Sequence, residues 1–118
     1  MTTIINVKVK NIRPEYSSLE EWMKIPNHEY IGRAGIVFIN GKRFPKISSD
    51  WANPYKVKNI DRDECLILYE KWLRDKLKKE GTSEFIKLKG KILGCWCKPE
   101  KCHGDIIIKI LNEIDQLN

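Results

Sequence analysis

Long apolar runs are missing from this 118-residue chain: no stretch approaches the roughly 20 apolar residues that span a bilayer. The opening MTTIINVKVKN also lacks the apolar core of a secretory signal. A soluble cytoplasmic protein with no membrane partner is therefore expected. Cysteine is scarce, and three of the four (Cys95, Cys97 and Cys102, with Cys65 apart) sit too close together to staple distant loops. That excludes a secreted disulfide framework and points to metal or thiol chemistry in a reducing compartment. A Walker loop, a dinucleotide-binding glycine fingerprint and an HExxH motif are all absent, which excludes the best-known phosphate-loop and zinc-hydrolase chemistries. No repeat, low-complexity tract or linker divides the chain, so one domain over 1–118 is expected.

What is present supports a core. Hydrophobic residues make up 42% of the chain and four are tryptophan, enough to fold without disulfides. The net charge of +6 favours anionic partners: a nucleotide, another anionic small molecule, or nucleic acid. Part of that charge lies on Lys71, Lys76, Lys78 and Lys79, which suit a solvated helix face.

Periodicity sets out the elements. Ile5, Val7 and Val9 alternate with polar residues and predict an opening strand. In SSLEEWMK, a serine three residues before a glutamate predicts a capped short helix that Pro26 ends. Asn40-Gly41 predicts a tight hairpin with arms Ile36–Ile39 and Lys42–Phe44, its second arm cut short by Pro45. SSDWANPYKV reads as a loop. From Asp61, apolar residues recur at helical spacing (Cys65, Leu66, Leu68, Tyr69, Trp72, Leu73 and Leu77) until Gly81, which predicts a long helix. SEFIKLKG reads as a helical turn, KILGCWC as a strand buried on both faces, and HGDIIIKILNEIDQL as a final helix. The fold class expected is α/β: a small mixed sheet with a hairpin insertion, a long central helix and a C-terminal strand–turn–helix unit. Sheets of that class gather ligands at the carboxyl ends of their strands.

The block GCWCKPEKCHGD falls at such an end. Strand alternation places Cys95 and Cys97 on one face and Trp96 on the other. Cys102, His103, Gly104 and Asp105 then occupy the first turn of the last helix, where free N–H groups favour anions and thiolates. Three readings stand side by side. In one, Cys102 or His103 does chemistry on an anionic ligand, with Asp105 orienting His103 and with Cys97 and Gly104 lining the pocket. In the second, Cys95, Cys97, Cys102 and His103 bind zinc, although C-x-C spacing and adjacent Cys-His suit zinc poorly. In the third, the cysteines pack as small hydrophobes, which is also the reading for Cys65.

A second cluster joins YIGR (Tyr30–Arg33) to DWANPY (Asp50–Tyr55). Arg33 follows Gly32 at a strand end, where a guanidinium clamps phosphate or carboxylate. Trp51 offers a stacking face and Asn53 a donor and an acceptor, unless Trp51 covers the core and Asn53 makes a backbone turn. The two clusters converge only if their strands are neighbours. His28 reads as a loop residue, and Trp22 and Trp72 as core.

YIGR, WANPY, YEKWL and GKILGCWCKPEKCHGDII together resemble an uncharacterised family of bacteria, phages and other viruses, domain of unknown function 4326. Its pattern is YIGR, then W-x-N-P-F/Y, then C-W-C-x-P-x-x-C-H-G-D. The resemblance runs from Tyr30 into the last helix and adds Pro54 and Pro99 to the residues above. Two departures stand out: the segment before Trp51 is lengthened, and Ala52 replaces the usual glycine. The resemblance implies a site shared by both clusters and supplies no reaction. The function expected is binding of a nucleotide or similar phosphorylated ligand in a Cys/His/Arg pocket. The alternative is a zinc-stabilised, non-catalytic module for nucleic acid or a host protein.

Overall fold

The computed structural model describes residues 1–56 and 60–117. Val57, at the end of the sequence-predicted loop, lies outside them. Chain order is β1 (Thr3–Asn6), α1 (Val9–Ile12), α2 (Leu19–Met23), β2 (His28–Tyr30), β3 (Val37–Ile39), β4 (Lys42–Phe44), α3 (Arg62–Glu80), a 3-10 turn (Phe85–Leu88), β5 (Ile92–Cys95) and α4 (His103–Leu117). The α/β class holds. The parallel strands form one sheet in the order β1-β5-β2, while β3 and β4 form a separate antiparallel hairpin.

β5 is central, so its two faces supply two cores. On one face, α3 and α4 pack Tyr69, Leu73, Ile107 and Leu111 around Leu93 and Cys95. On the other, α1 and α2 bring Ile12, Leu19 and Trp22 against Val7 and Tyr30. Gly94 is required where the second layer comes close: a Cβ there would lie 2.6 Å from the Trp22 ring and 2.8 Å from Val7.

Local chemistry explains most boundaries. Ser18 caps α2 by accepting from the Glu21 N–H, and the Glu21 carboxylate accepts back from Ser17 N–H at 3.3 Å and Oγ at 2.6 Å. Asp61 caps α3 through the Glu64 N–H at 2.9 Å, and Gly81 follows its last turn with φ of 83°. Asn40 and Gly41 carry the positive φ values (53° and 78°) that a type I′ turn needs.

Two expectations are corrected. The opening alternation does not continue as strand: Asn6 Oδ1 accepts the Lys8 N–H at 2.9 Å, and its amide donates to the Trp96 and Lys98 carbonyls. That side-chain turn ends β1 and lets Val9 begin α1. His28 is not a loop residue. It sits in β2 with its ring stacked on Trp22 at 4.2 Å and Nδ1 donating to the Trp22 carbonyl at 2.8 Å.

Candidate functional site

β2 and β5 pair in parallel, Tyr30 opposite Gly94, and the Ile31 N–H extends the ladder to the Gly94 carbonyl at 3.1 Å. The segments leaving both strands therefore emerge at one sheet edge, where α4 begins. This is the convergence of the two clusters that sequence alone leaves open. The alternation at the end of β5 is as expected. Trp96 turns to the Tyr30 side and donates to the Tyr30 hydroxyl at 2.8 Å, whereas Cys95 and Cys102 are buried with the α3/α4 core.

The three thiols form a graded set. Cys95 and Cys102 are each 1% exposed, and Cys97 is half-buried and faces an open cleft. Cys102 acts on the ionisation of both other thiols. This holds the Cys97 thiol down to about 6, aided by a hydrogen bond from Arg62 and the charge of Arg33. It also holds Cys95 down to about 7, while Cys102, as the shared donor, is pushed up. The accessible thiol is thus Cys97, not the sequence-favoured Cys102.

His103 is fixed on both sides. Its Nε2–H donates to the Ile31 carbonyl at 2.7 Å, so Nδ1 carries the lone pair, 3.7 Å from Cys102 Sγ. The Tyr69 ring packs edge-on at 5.1 Å, and burial holds the imidazole below its usual pKa. Asp105 does not orient it. One Asp105 oxygen caps α4 by accepting the Cys102 N–H at 3.0 Å, and the other pairs with Lys98 at 2.7 Å. The Gly104 N–H points at Cys102 Sγ at 3.4 Å, and a Cβ on Gly104 would lie 2.8 Å from Ile4. The Gly104 and Asp105 N–H groups in the first turn of α4 are therefore engaged within the chain, and Gly104 is a close-packing position.

The cleft above this floor measures about 430 Å³. Ile36, Tyr55, Leu66 and Trp96 give it apolar walls, and Gly32 lies at its edge. Its charged lining residues are Arg33, Lys56, Arg62 and Lys101, with no carboxylate among the described residues that line it. Arg33 also builds the wall: Nε donates to the Asn53 carbonyl and Nη2 to the Tyr55 carbonyl, each at 2.8 Å. Asn53 closes a side-chain turn onto the Tyr55 N–H at 2.9 Å and donates to Cys65 Sγ at 3.3 Å. Trp51 offers no stacking face to this cleft. It is 8% exposed, set edge-on to Phe85 at 5.3 Å, with the Tyr69 hydroxyl on its carbonyl at 2.6 Å.

Sequence reasoning passed over Arg62, Lys101, Lys56 and Tyr55. One signal was available: Arg62 stands among Asp61, Asp63 and Glu64 in a helix first turn, where a cation opposes the dipole. Among the described residues, no three His, Cys, Asp or Glu side chains are placed to hold one ion, and His103 Nε2 is committed to a carbonyl.

Residues 15–113 match a family described as domain of unknown function (DUF4326). The chain belongs to this family. The DUF4326 match takes in both clusters and the hairpin, whereas β1 precedes it. A similar protein is an uncharacterised 12.4 kDa protein in the nrdA-td intergenic region of Enterobacteria phage T4, 38% identical over 69 residues. That alignment covers 54% of this chain and 61% of the phage protein. No solved structure matches. Among the described residues, no helix is long and apolar enough to cross a membrane.

Proposed function

We propose that this protein binds a nucleotide or similar phosphorylated small molecule in the Arg33–Arg62–Cys97 cleft, in the cytoplasm. The observation that carries the reading is the lining: four cationic side chains and no carboxylate around an apolar-walled space of ligand size. Arg62 and Lys101 meet the phosphate at the rim, and Tyr55, Leu66 and Trp96 contact the apolar part. Arg33 holds the wall with two of its donors and faces the ligand with its charge. Nucleic acid extends the same chemistry by presenting one nucleotide to the cleft.

The test is calorimetric titration with nucleoside mono-, di- and triphosphates at low salt. Arg62→Ala is expected to weaken binding about tenfold or more, the scale of one charge-assisted contact, with the melting temperature little changed. Arg33→Ala serves less well, because it gives up two backbone hydrogen bonds, to residues 53 and 55, against the one that Arg62 donates to the Lys101 carbonyl at 2.9 Å. Equal affinity in wild type and Arg62→Glu would sink the proposal. The second reading, a zinc-stabilised binding module, is separated from this one by metal analysis of the purified protein: about one zinc per chain would favour it.

A further inference from the structure

The cleft's anion-accepting lining explains four cations but not why three thiols meet at its floor. Cys97 is the most accessible of the three and lines the cleft with Arg62 and Arg33, and the buried Cys102 lines it as well. Behind it, Cys102 is buried against an imidazole lone pair at 3.7 Å and a backbone N–H at 3.4 Å. An accessible thiol with a second thiol in the lining of the same cleft, and a base beside the second, is the arrangement that two-step thiol–disulfide exchange requires. Packing alone would not line the cleft of that outer thiol with two guanidinium groups.

We propose that Cys97 attacks disulfides of small anionic thiols and that Cys102 resolves the resulting mixed disulfide. The inference rests on the cleft accepting anions. In the first step the Cys97 thiolate forms a bond to one sulfur of R–S–S–R. The S–S bond breaks, and RS⁻ leaves and takes a proton from water. In the second, Cys102 passes its proton to His103 Nδ1 and attacks the Cys97 sulfur. The second RS⁻ is expelled and receives that proton. Two protein thiols are oxidised to one disulfide, and one external disulfide is reduced to two thiols. Arg62 and Lys101 select substrates whose flanking groups are carboxylates or phosphates. The Gly104 N–H stabilises the Cys102 thiolate as it forms.

The reduced protein is mixed with glutathione disulfide, which carries carboxylates, or with cystamine, which carries amines. Intact-mass and peptide mapping follow the products. Relative to a free cysteine peptide, the glutathione disulfide reaction is expected to be favoured over cystamine by about tenfold at low salt. The first adduct forms on Cys97, and the end product is a Cys97–Cys102 disulfide. Cys102→Ser stops at the mixed disulfide, and Cys97→Ser removes the fast reaction. First modification at Cys65 or Cys102, or equal preference for the two disulfides, overturns the proposal, and mapping of the wild-type adduct needs no variant to fold. Nucleotide titration of the reduced wild-type protein, alongside the exchange assay, separates the readings. Nucleotide binding without anionic preference in exchange defeats only this inference, and absence of both defeats the cleft reading as well.

Discussion

At the residue scale, Cys97 and His103 hold their unusual ionisation for different reasons. The Cys97 thiolate is favoured by the Cys102 hydrogen bond, then by Arg62 and Arg33. Alkylation of Cys97 by iodoacetamide, followed by mass spectrometry against pH, should rise through a midpoint near about 6. An ordinary cysteine does so at about 8.5. Arg62→Ala should move the midpoint upward, and a wild-type midpoint above 8 would contradict the arrangement. His103 is held neutral by burial, so its folded pKa lies below the unfolded value. The unfolded chain then binds the extra proton first, and stability is lost as pH falls below about 6.5. Melting temperature should therefore decline from pH 7 to pH 5, and His103→Gln should flatten that decline while lowering stability throughout. An unchanged slope would show that His103 is not the titrating group.

At the element scale, what was readable in the sequence is what local chemistry sets. The Ser18 and Asp61 caps, the Asn40-Gly41 turn and the four-residue recurrence of Cys65, Tyr69, Leu73 and Leu77 each fix an element within a few neighbouring residues. The misread elements depend on partners far away in the chain. Asn6 ends β1 partly through carbonyls of residues 96 and 98, and His28 joins a strand because Trp22 and β5 receive it. Half of the site was legible for the same reason. Arg33, Asn53, Cys97 and His103 do converge, but the roles of Trp51 and Asp105 were set by burial and by Lys98, which no local pattern announces. Asp61→Ala should cost about 1 kcal/mol in denaturant unfolding through the lost α3 cap. Gly94→Ala should cost about 1–3 kcal/mol, since its Cβ would press on Trp22 and Val7. A neutral Gly94→Ala would mean that the β5–α2 contact is looser than described.

At the scale of the whole molecule, the +6 charge is not spread evenly in its consequences. Many lysines are spent locally: Lys109 on Glu70, Lys89 on Asp115, and Lys76 over the Trp51 and Trp72 rings. Although Lys101 also pairs with Asp63 at 3.2 Å, the cleft differs in its lining, which has no carboxylate among the described residues. The parallel β1-β5-β2 sheet makes this possible by bringing two segments some 60 residues apart to one edge. Since Cys102 and His103 hold their geometry through hydrogen bonds to one another and to the backbone, the fold should not depend on a metal. Treatment with a chelator is expected to leave the melting temperature unchanged, and a large drop would restore the zinc reading.

The most direct measurement of the central claim is nucleotide affinity by calorimetry as a function of salt, in wild type and Arg62→Ala. The account predicts saturable one-to-one binding that weakens as salt rises, and weakens again by about tenfold in the variant. No binding of any nucleoside phosphate at millimolar concentration, or binding indifferent to both salt and Arg62, would contradict it.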